Sequence, residues 1–598
     1  MEKSIKNIKK LSLVGLVALM GFMQSACTDF LEVKPENQIV LENFWTDKND
    51  VHSIIAGCYT AFQSDANVKR MMVWGEFRSD NIYVGVNTNS DASLEKVLLE
   101  NIDAKNDYTN WDGFYDIINR CNTVLLYAPQ VAEKDPAYTQ SELRADMAEV
   151  IALRSLAYFY LIRTFRDVPY SSVAYTDDNQ KMDLPASPFE VVLDSLITSL
   201  ESIQNDAIDI YPEDKPKYQT GRITRDAIRA MLCEMYLWKQ DYDNCIKYAD
   251  MVIESKKKMA EDNRKKSKNY NQSKSSGSQL YELTNGYPLI ESQQETGLYF
   301  GNAYTTIFGS DNNVSENMQE IIFQLIFDDT PSESHMKANG AVNSFYGNSQ
   351  DEGLVAPPEF MLKERDETTD RKVFAIKNQK VDARLYENFN STEKRIVKYT
   401  TSRITINAQT KTNPRAENIS RYSQNQNGSN WIIYRLTDIM LLKAEALTQK
   451  MIEGSDDNVV EHNKPFLAEA FSLVNAVNKR SVCEPFGTQL VDTLVSDDYT
   501  SKSLMEELVL KERQRELMFE GKRWYDLVRL SRRTGNTTDL SNAALLKAAT
   551  SQDLIANKLA KMDAIYWPYN LEEVKVNKNL VQNPAFDSGE DKSYKKNY

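Results

Sequence analysis

The sequence predicts a mainly α chain built from stacked helix pairs, and three observations predict it. Apolar residues recur at helical spacing in several long segments. Those segments come in pairs, two amphipathic stretches separated by a turn or loop. Between the pairs the chain changes to polar runs or to irregular stretches rich in Asn, Gly and aromatics.

In chain order, Lys3, Lys6, Lys9 and Lys10 precede an apolar run from about Leu11 to Met23, then Ser25, Ala26 and Cys27. That order of charge, apolar core and small residues is that of a secretory signal. The run is shorter than the ~20 apolar residues of a spanning helix. Residues 1–26 are therefore expected to be a signal peptide, ahead of a single body over 27–598.

"WDGFYDIINRCNTVLLYA" and "SELRADMAEVIALRSLAYFYLIRTFRDVPY" make one helix pair, in which Trp111 and Tyr115 share the spacing of Ile118 and read as core. "RDAIRAMLCEMYLWKQDYDNCIKYADMVIES" makes another, with Tyr236, the small Cys245 and the turn at Asp241 and Tyr242 where a tetratricopeptide repeat has its tyrosine, alanine and turn. Residues 255–281, rich in Lys, Ser and Asn, read as a solvated loop. From about Tyr281 to Asn430 the pattern is irregular, with strand-like pieces "EIIFQLIF" and "RIVKYT". "WIIYRLTDIMLLKAEALTQK" with "FLAEAFSLVNAVNKRS" is the third pair, and "SLMEELVLKERQRELMFEGKRWYDLVRLSRR" the fourth. In that last block Glu512, Glu516 and Glu520 recur every four residues near Arg513 and Arg515, a pattern of helix-surface ion pairs worth a few tenths of a kcal/mol each, roughly. The predicted fold is thus tetratricopeptide-like stacked helix pairs, which bury one another's apolar faces, with a loop-rich insertion carrying short strands.

A formal charge of -15, which loss of four lysines and one glutamate with residues 1–26 takes to -18, argues against a nucleic-acid partner. Six cysteines are too few for a disulfide framework. Cys58, Cys121, Cys233 and Cys245 sit in apolar helical patterns and read as buried thiols, with Cys483 the fifth besides Cys27. His52, His335 and His462 are not in ligand spacing, so no metal site and no cofactor is expected from them; no calcium-loop pattern is present, and a structural calcium stays open. Nucleophile elbows, Walker loops and zinc-protease motifs are missing too. A glycosidase stays open on composition alone, since two suitably separated carboxylates suffice.

The residues also resemble a family. "SAC" at Cys27 is similar to the lipobox of bacterial lipoproteins, and "CTDFLEVKP", "LRSLAYFYLIRTFRDVPY", "YRLTDIMLLKAEAL", "ERQRELMFEGKRWYDLVRL" and "NLVQNPAF" follow in the order of the SusD/RagB outer-membrane lipoproteins of the Bacteroidetes. Arg166 stands where the family commonly has glycine, so a different turn is expected there; Asn478 replaces a usual arginine, which removes one expected ion pair. Trp524 and Trp567 fall in the fold signature and its tail. The resemblance implies an N-terminal half over 27–310, a C-terminal half over 311–598, acylation of Cys27 into the outer-membrane lipid and exposure at the cell surface. It further implies capture of glycan or peptide for a SusC-like TonB-dependent transporter, without bond chemistry. A peptide-binding or helical-repeat scaffold of the same complex is the other non-enzymatic alternative.

A sugar packs an apolar face on aromatic rings and bonds its hydroxyls to polar side chains. Aromatics off the helical period and beside polar residues are therefore the candidate platform. "MVWGEFRSDNIYVG" offers Trp74, Arg78, Asp80, Asn81 and Tyr83, while "LYFGNAYTTIFG" and "NSFYGN" offer Tyr299, Tyr304, Phe345 and Tyr346. Trp74 equally fits a core position, and Arg78 and Asp80 equally fit a pair that holds the loop.

Overall fold

A computed structural model describes residues 44–177, 179–266, 426–483, 494–548 and 551–586. Between 283 and 424 it describes 283–291, 293–295, 298–300, 302–309, 318–327, 338–362, 373–374, 381–390, 393–407 and 415–424. Cys27 lies outside the described residues. No helix among those described is long and apolar enough to cross a membrane.

The chain is mainly α. Its first layers are α1 (Lys48–Phe62), α2 (Asp65–Met72), α3 (Ala92–Leu98), α4 (Asp112–Lys134), α5 (Gln140–Phe165) and α6 (Phe189–Ile203), with α4 packed on α1 and α5. α5 starts where it does because Thr139 and Glu142 form a reciprocal capping box. Trp111 is core as expected, 5.0 Å from the Phe165 ring and 5.2 Å from Tyr569.

α7 (Arg225–Trp238) and α8 (Tyr242–Lys266) form the repeat-like pair. Gln240 turns the chain at φ 63, and the Asp241 side chain accepts from the Asn244 N–H. Cys233 and Cys245 meet at the crossing, Sγ to Sγ 3.7 Å, while Tyr236 stacks on Tyr248 at 5.7 Å. Cys58 and Cys121 meet likewise between α1 and α4 at 3.8 Å; all four thiols are free and buried. α8 runs on to Lys266, so the first part of the expected loop is helix. Lys256 there is not solvated: it is buried, and its Nζ donates to the carbonyls of Met318 and Ile321.

α9 (Gly340–Tyr346) follows, then α10 (Leu436–Lys450), α11 (Asp457–Ser481), α12 (Lys502–Leu517), α13 (Arg523–Thr534), α14 (Thr538–Leu546) and α15 (Gln552–Leu559). α10 packs on α8 and α11 and, with α12, builds a second apolar core around Leu441, Leu473, Val477 and Leu508.

Strands are short: β1 (Tyr83–Val84), β2 (Gln293–Glu295), β3 (Leu298–Phe300), β4 (Ile321–Leu325), β5 (Val355–Ala356), β6 (Thr401–Asn407), β7 (Arg415–Arg421) and β8 (Trp431–Arg435) are the ones that matter here. They pair antiparallel as β7-β6-β3-β2, as β8 with β4, and as β1 with β5. β4 and β8 are buried along their whole length and lead β8 directly into α10.

The carboxylates of the C-terminal block are not surface pairs. α12 ends at Leu517, which puts Glu520 beyond the helix, and Glu512, Glu516 and Glu520 are all buried. Glu516 meets Arg384, Arg435 and Arg480; Glu520 meets Arg435 and Lys398; Glu512 meets Arg384 and Arg515. Asn478, in its arginine's place, donates to Glu512 at 3.3 Å. A buried network of this kind ties four distant segments together, because each ion left alone in the core would cost several kcal/mol, roughly.

Candidate functional site

The segment from Met72 to Gly85 is helical through Phe77, turns over residues 78–82 and enters β1 at Tyr83. α2 continues into one π-helical turn, Val73–Phe77, pressed against the turn that precedes α13. Gly75 is required there, since a Cβ would lie 1.9 Å from the Gly521 carbonyl oxygen. Glu76 then points into the start of α13 and accepts the N–H groups of Phe519 at 2.9 Å, Lys522 at 3.0 Å and Arg523 at 3.3 Å.

This packing buries most of the expected platform. Trp74 is fully enclosed between Phe114 and Phe165, with its Nε1 donating to the Tyr108 carbonyl. Arg78 lies 4.2 Å from the Trp524 ring, grips both Glu100 oxygens and donates to the carbonyls of Ala564 and Ile565. Asn81 donates to Glu76 at 2.7 Å. Phe345 and Tyr346 sit at the end of α9, not in a loop; Phe345 packs on Phe77, and the Tyr346 hydroxyl donates to the Phe519 carbonyl. Trp74, Arg78, Asn81, Phe345 and Tyr346 therefore present no surface to a ligand, because their aromatic and charged groups are consumed by one another. The Tyr299 backbone lies in β3 and that of Tyr304 in the helix Asn302–Phe308; their side chains are outside the description.

Tyr83 and Asp80 reach cavities. Asp80 lines the larger one, about 1030 Å³, with Gln514, Arg523, Glu507 and Lys511. Its charged floor is already committed: Arg523 holds both Asp80 oxygens at 2.9 and 3.1 Å, Gln514 donates to Asp80 at 2.9 Å, and Lys511 pairs with Glu507. Burial would push the Asp80 carboxyl up, but Arg523, with Gln514 and a backbone N–H, holds it below its ordinary value.

The cavity beside Tyr83 is different. It measures about 380 Å³ and is lined by Tyr83, Leu98 to Asn101 and, from the α14–α15 junction, Lys547, Ser551, Leu554 and Lys558. That falls inside the roughly 300–1,000 Å³ of small-ligand sites. β1 fixes Tyr83 by its register with Ala356. Leu99 and Leu554 stay 43% and 71% exposed, an apolar rim. Among the described residues the Tyr83 hydroxyl, the Asn101 amide and the Ser551 hydroxyl have no hydrogen-bond partner. Two wall residues, Glu100 at φ 56 and Ser551 at φ 59, hold left-handed backbone that costs a side-chain-bearing residue about 1–3 kcal/mol and tends to gather at functional sites. Burial would raise the Glu100 carboxyl, but the Arg78 guanidinium, together with Lys558 and Lys547, holds it below its ordinary value.

Leu99, Asn101, Lys547, Ser551, Leu554 and Lys558 are thus site residues the sequence reading missed. One signal was available: Leu554 is apolar next to the buried Ile555, off the period of α15.

Comparison with known proteins bears on this arrangement. A model of the SusD family matches residues 306–586, and a model described as starch-binding associating with outer membrane matches residues 29–237. SusD-like protein P38 of Formosa agariphila is 26% identical over 540 residues, spanning 88% of this chain and 93% of that one. A SusD-like protein of Bacteroides ovatus is 27% identical over 235 residues, 38% of this chain and 40% of its own. A solved SusD superfamily protein from Bacteroides thetaiotaomicron has TM-score 0.59 at 20% identity, over 91% of this chain and 99% of that one. A laminarin binding SusD-like protein has TM-score 0.55 at 18% identity, over 90% and 99%. Those structures share the fold.

Proposed function

Because the chain belongs to the SusD family, matched over both its halves, we propose that it is a cell-surface glycan-binding lipoprotein without catalytic activity. In this reading Cys27 carries the lipid, the outer membrane holds the anchor, and captured oligosaccharide passes to a SusC-like TonB-dependent transporter. The family descriptions support association with the outer membrane and starch, and one structural neighbour is named for laminarin binding.

The observation that carries the reading is the Tyr83 cavity: one ring, an exposed aliphatic rim and polar side chains whose hydrogen bonds are unspent. A pyranose matches that set, its C–H face against Tyr83 and Leu554 and its hydroxyls toward Asn101 and Ser551. No step here makes or breaks a bond; binding and orientation are all the groups supply.

Affinity electrophoresis through gels carrying a panel of polysaccharides tests it. Retardation by at least one glycan, lost in Tyr83→Ala, is the expected result. Release of new reducing ends would establish a glycosidase instead. Binding that survives Tyr83→Ala unchanged would remove this cavity from the account.

A further inference from the structure

The Tyr83 cavity is lined by two lysines that form no ion pair among the described residues, the nearest carboxylate, Glu100, supporting both only at a distance. Lys547, at the end of α14, is 6% exposed and donates from Nζ to the Phe77 carbonyl at 2.8 Å. Lys558, on α15, donates to the Glu100 carbonyl at 2.9 Å and lies 4.8 Å from the Phe586 ring. An ammonium has three N–H bonds. Each of these nitrogens thus has two to spare among the described residues, and neither forms an ion pair there.

The anions nearby are taken. Glu100, the carboxylate in the cavity wall, is gripped on both oxygens by Arg78. Asp80 is held by Arg523, Glu76 by three backbone N–H groups and Asn81, and Asp103 by Lys96 and the Lys105 N–H. A net positive wall therefore stands in a chain of formal charge -15. Holding it has a cost: burial pushes both Lys547 and Lys558 down to about 8. A neutral sugar would gain little from two half-satisfied ammonium groups, whereas an anion would satisfy their remaining N–H bonds and their charge together.

We propose that this cavity takes an anionic saccharide, whose carboxylate or sulfate ester is received by Lys547 and Lys558 while a sugar face packs on Tyr83. The proposal rests on the glycan-binding reading above and narrows its substrate class.

The test is titration calorimetry on the whole acylation-free chain with matched oligosaccharides: oligogalacturonate against its methyl ester, and a sulfated galactan oligomer against its desulfated form. The acidic member of at least one pair is expected to bind tenfold or more tighter. Lys558→Met, a partly exposed position, should abolish that preference, bringing the acidic member down to the affinity of the neutral one; Lys547→Met should do the same where it folds. Raising pH from 7 to 9 should weaken the acidic member alone. The pair that discriminates tells carboxylate from sulfate. Equal affinity for both members, or a preference that survives Lys558→Met, overturns the anionic assignment while leaving the glycan site intact, provided Tyr83→Ala abolishes binding. Binding insensitive to Tyr83→Ala, or none to any member, overturns both.

Discussion

The Glu76 carboxylate accepts the backbone N–H of Lys522 at 3.0 Å, joining positions 446 residues apart. With the Phe519 and Arg523 N–H groups on the same side chain, Glu76 acts as the N-terminal cap of a helix it does not belong to. An anion there also meets the positive end of the α13 dipole.

Both oxygens face donors, so Glu76→Gln places an amide N–H against a backbone N–H. Lost charge-assisted bonds and an unsatisfied donor each amount to about 1–3 kcal/mol. Urea denaturation of Glu76→Gln is therefore expected to show a loss of about 2–3 kcal/mol, with sugar affinity at the Tyr83 cavity retained by the folded fraction. A loss below a few tenths would mean the cap is ornamental.

Glu516 gives a sharper contrast. Three arginines meet it in the core, so Glu516→Gln takes away the carboxylate they share and leaves them only their other partners, Glu512, Glu520 and Glu320, a change of about 3–5 kcal/mol. Glu507→Ala, on the same helix, breaks only an exposed pair with Lys511 and should cost under about 0.5 kcal/mol. Burial would raise the Glu516 carboxyl, but Arg480, Arg435 and Arg384 hold it well below the ordinary range. Its contribution is thus present above the unfolded carboxyl pKa of about 4.3 and is lost as pH falls below it. The gap between wild type and Glu516→Gln should narrow from pH 5 toward pH 3.

Those two side chains also mark how far the sequence was legible. Helix pairs were readable because burying one face imposes a period, as at Ile228, Leu232 and Met235 in α7. The platform was not, because an aromatic run laced with charge has the same composition whether it lines a sugar site or a buried ion network. What decides is the partner, and Arg78 finds Ala564 and Ile565 close to five hundred residues away. Local spacing carries no trace of such contacts. Glu516 misled in the same way: its four-residue spacing is real, but its counter-ions come from other segments. The left-handed Glu100 and Ser551 were invisible because neither is glycine.

Arg166 makes a related point about the turn after α5. It adopts φ 68 and ψ -77, and the Asp167 N–H bonds back to the Phe165 carbonyl at 3.1 Å, a γ-turn of the strained sign. This backbone is one that glycine adopts without strain, and Arg166 adds pairs to Asp167 and Asp563. Such backbone costs about 1–3 kcal/mol for a side-chain-bearing residue, against about 0.4–1 kcal/mol for glycine's extra unfolded-state freedom. Arg166→Gly should therefore be more stable than Arg166→Ala by about 1 kcal/mol, although both lose the same half-exposed ion pairs. Equal urea midpoints for the two variants would show the backbone there to be unstrained.

Lys256 supplies the last prediction. Burial pushes its ammonium down to about 8, against the partial support of Asp226. In the unfolded chain it titrates near about 10.4. Between those values the unfolded state binds the extra proton, so stability rises with pH, the reverse of an exposed lysine's indifference. The neutral amine keeps two N–H bonds, enough for the Met318 and Ile321 carbonyls it now serves. Lys398, Lys547 and Lys558 shift in the same sense and add to the slope of the wild type. Lys256→Met isolates one of them. It should lower stability at pH 8 by about 1–3 kcal/mol through the two stranded carbonyls, and the deficit should widen by about 1–2 kcal/mol on going to pH 10. A deficit constant across that interval would mean that Lys256 holds its proton in the core as firmly as in the unfolded chain.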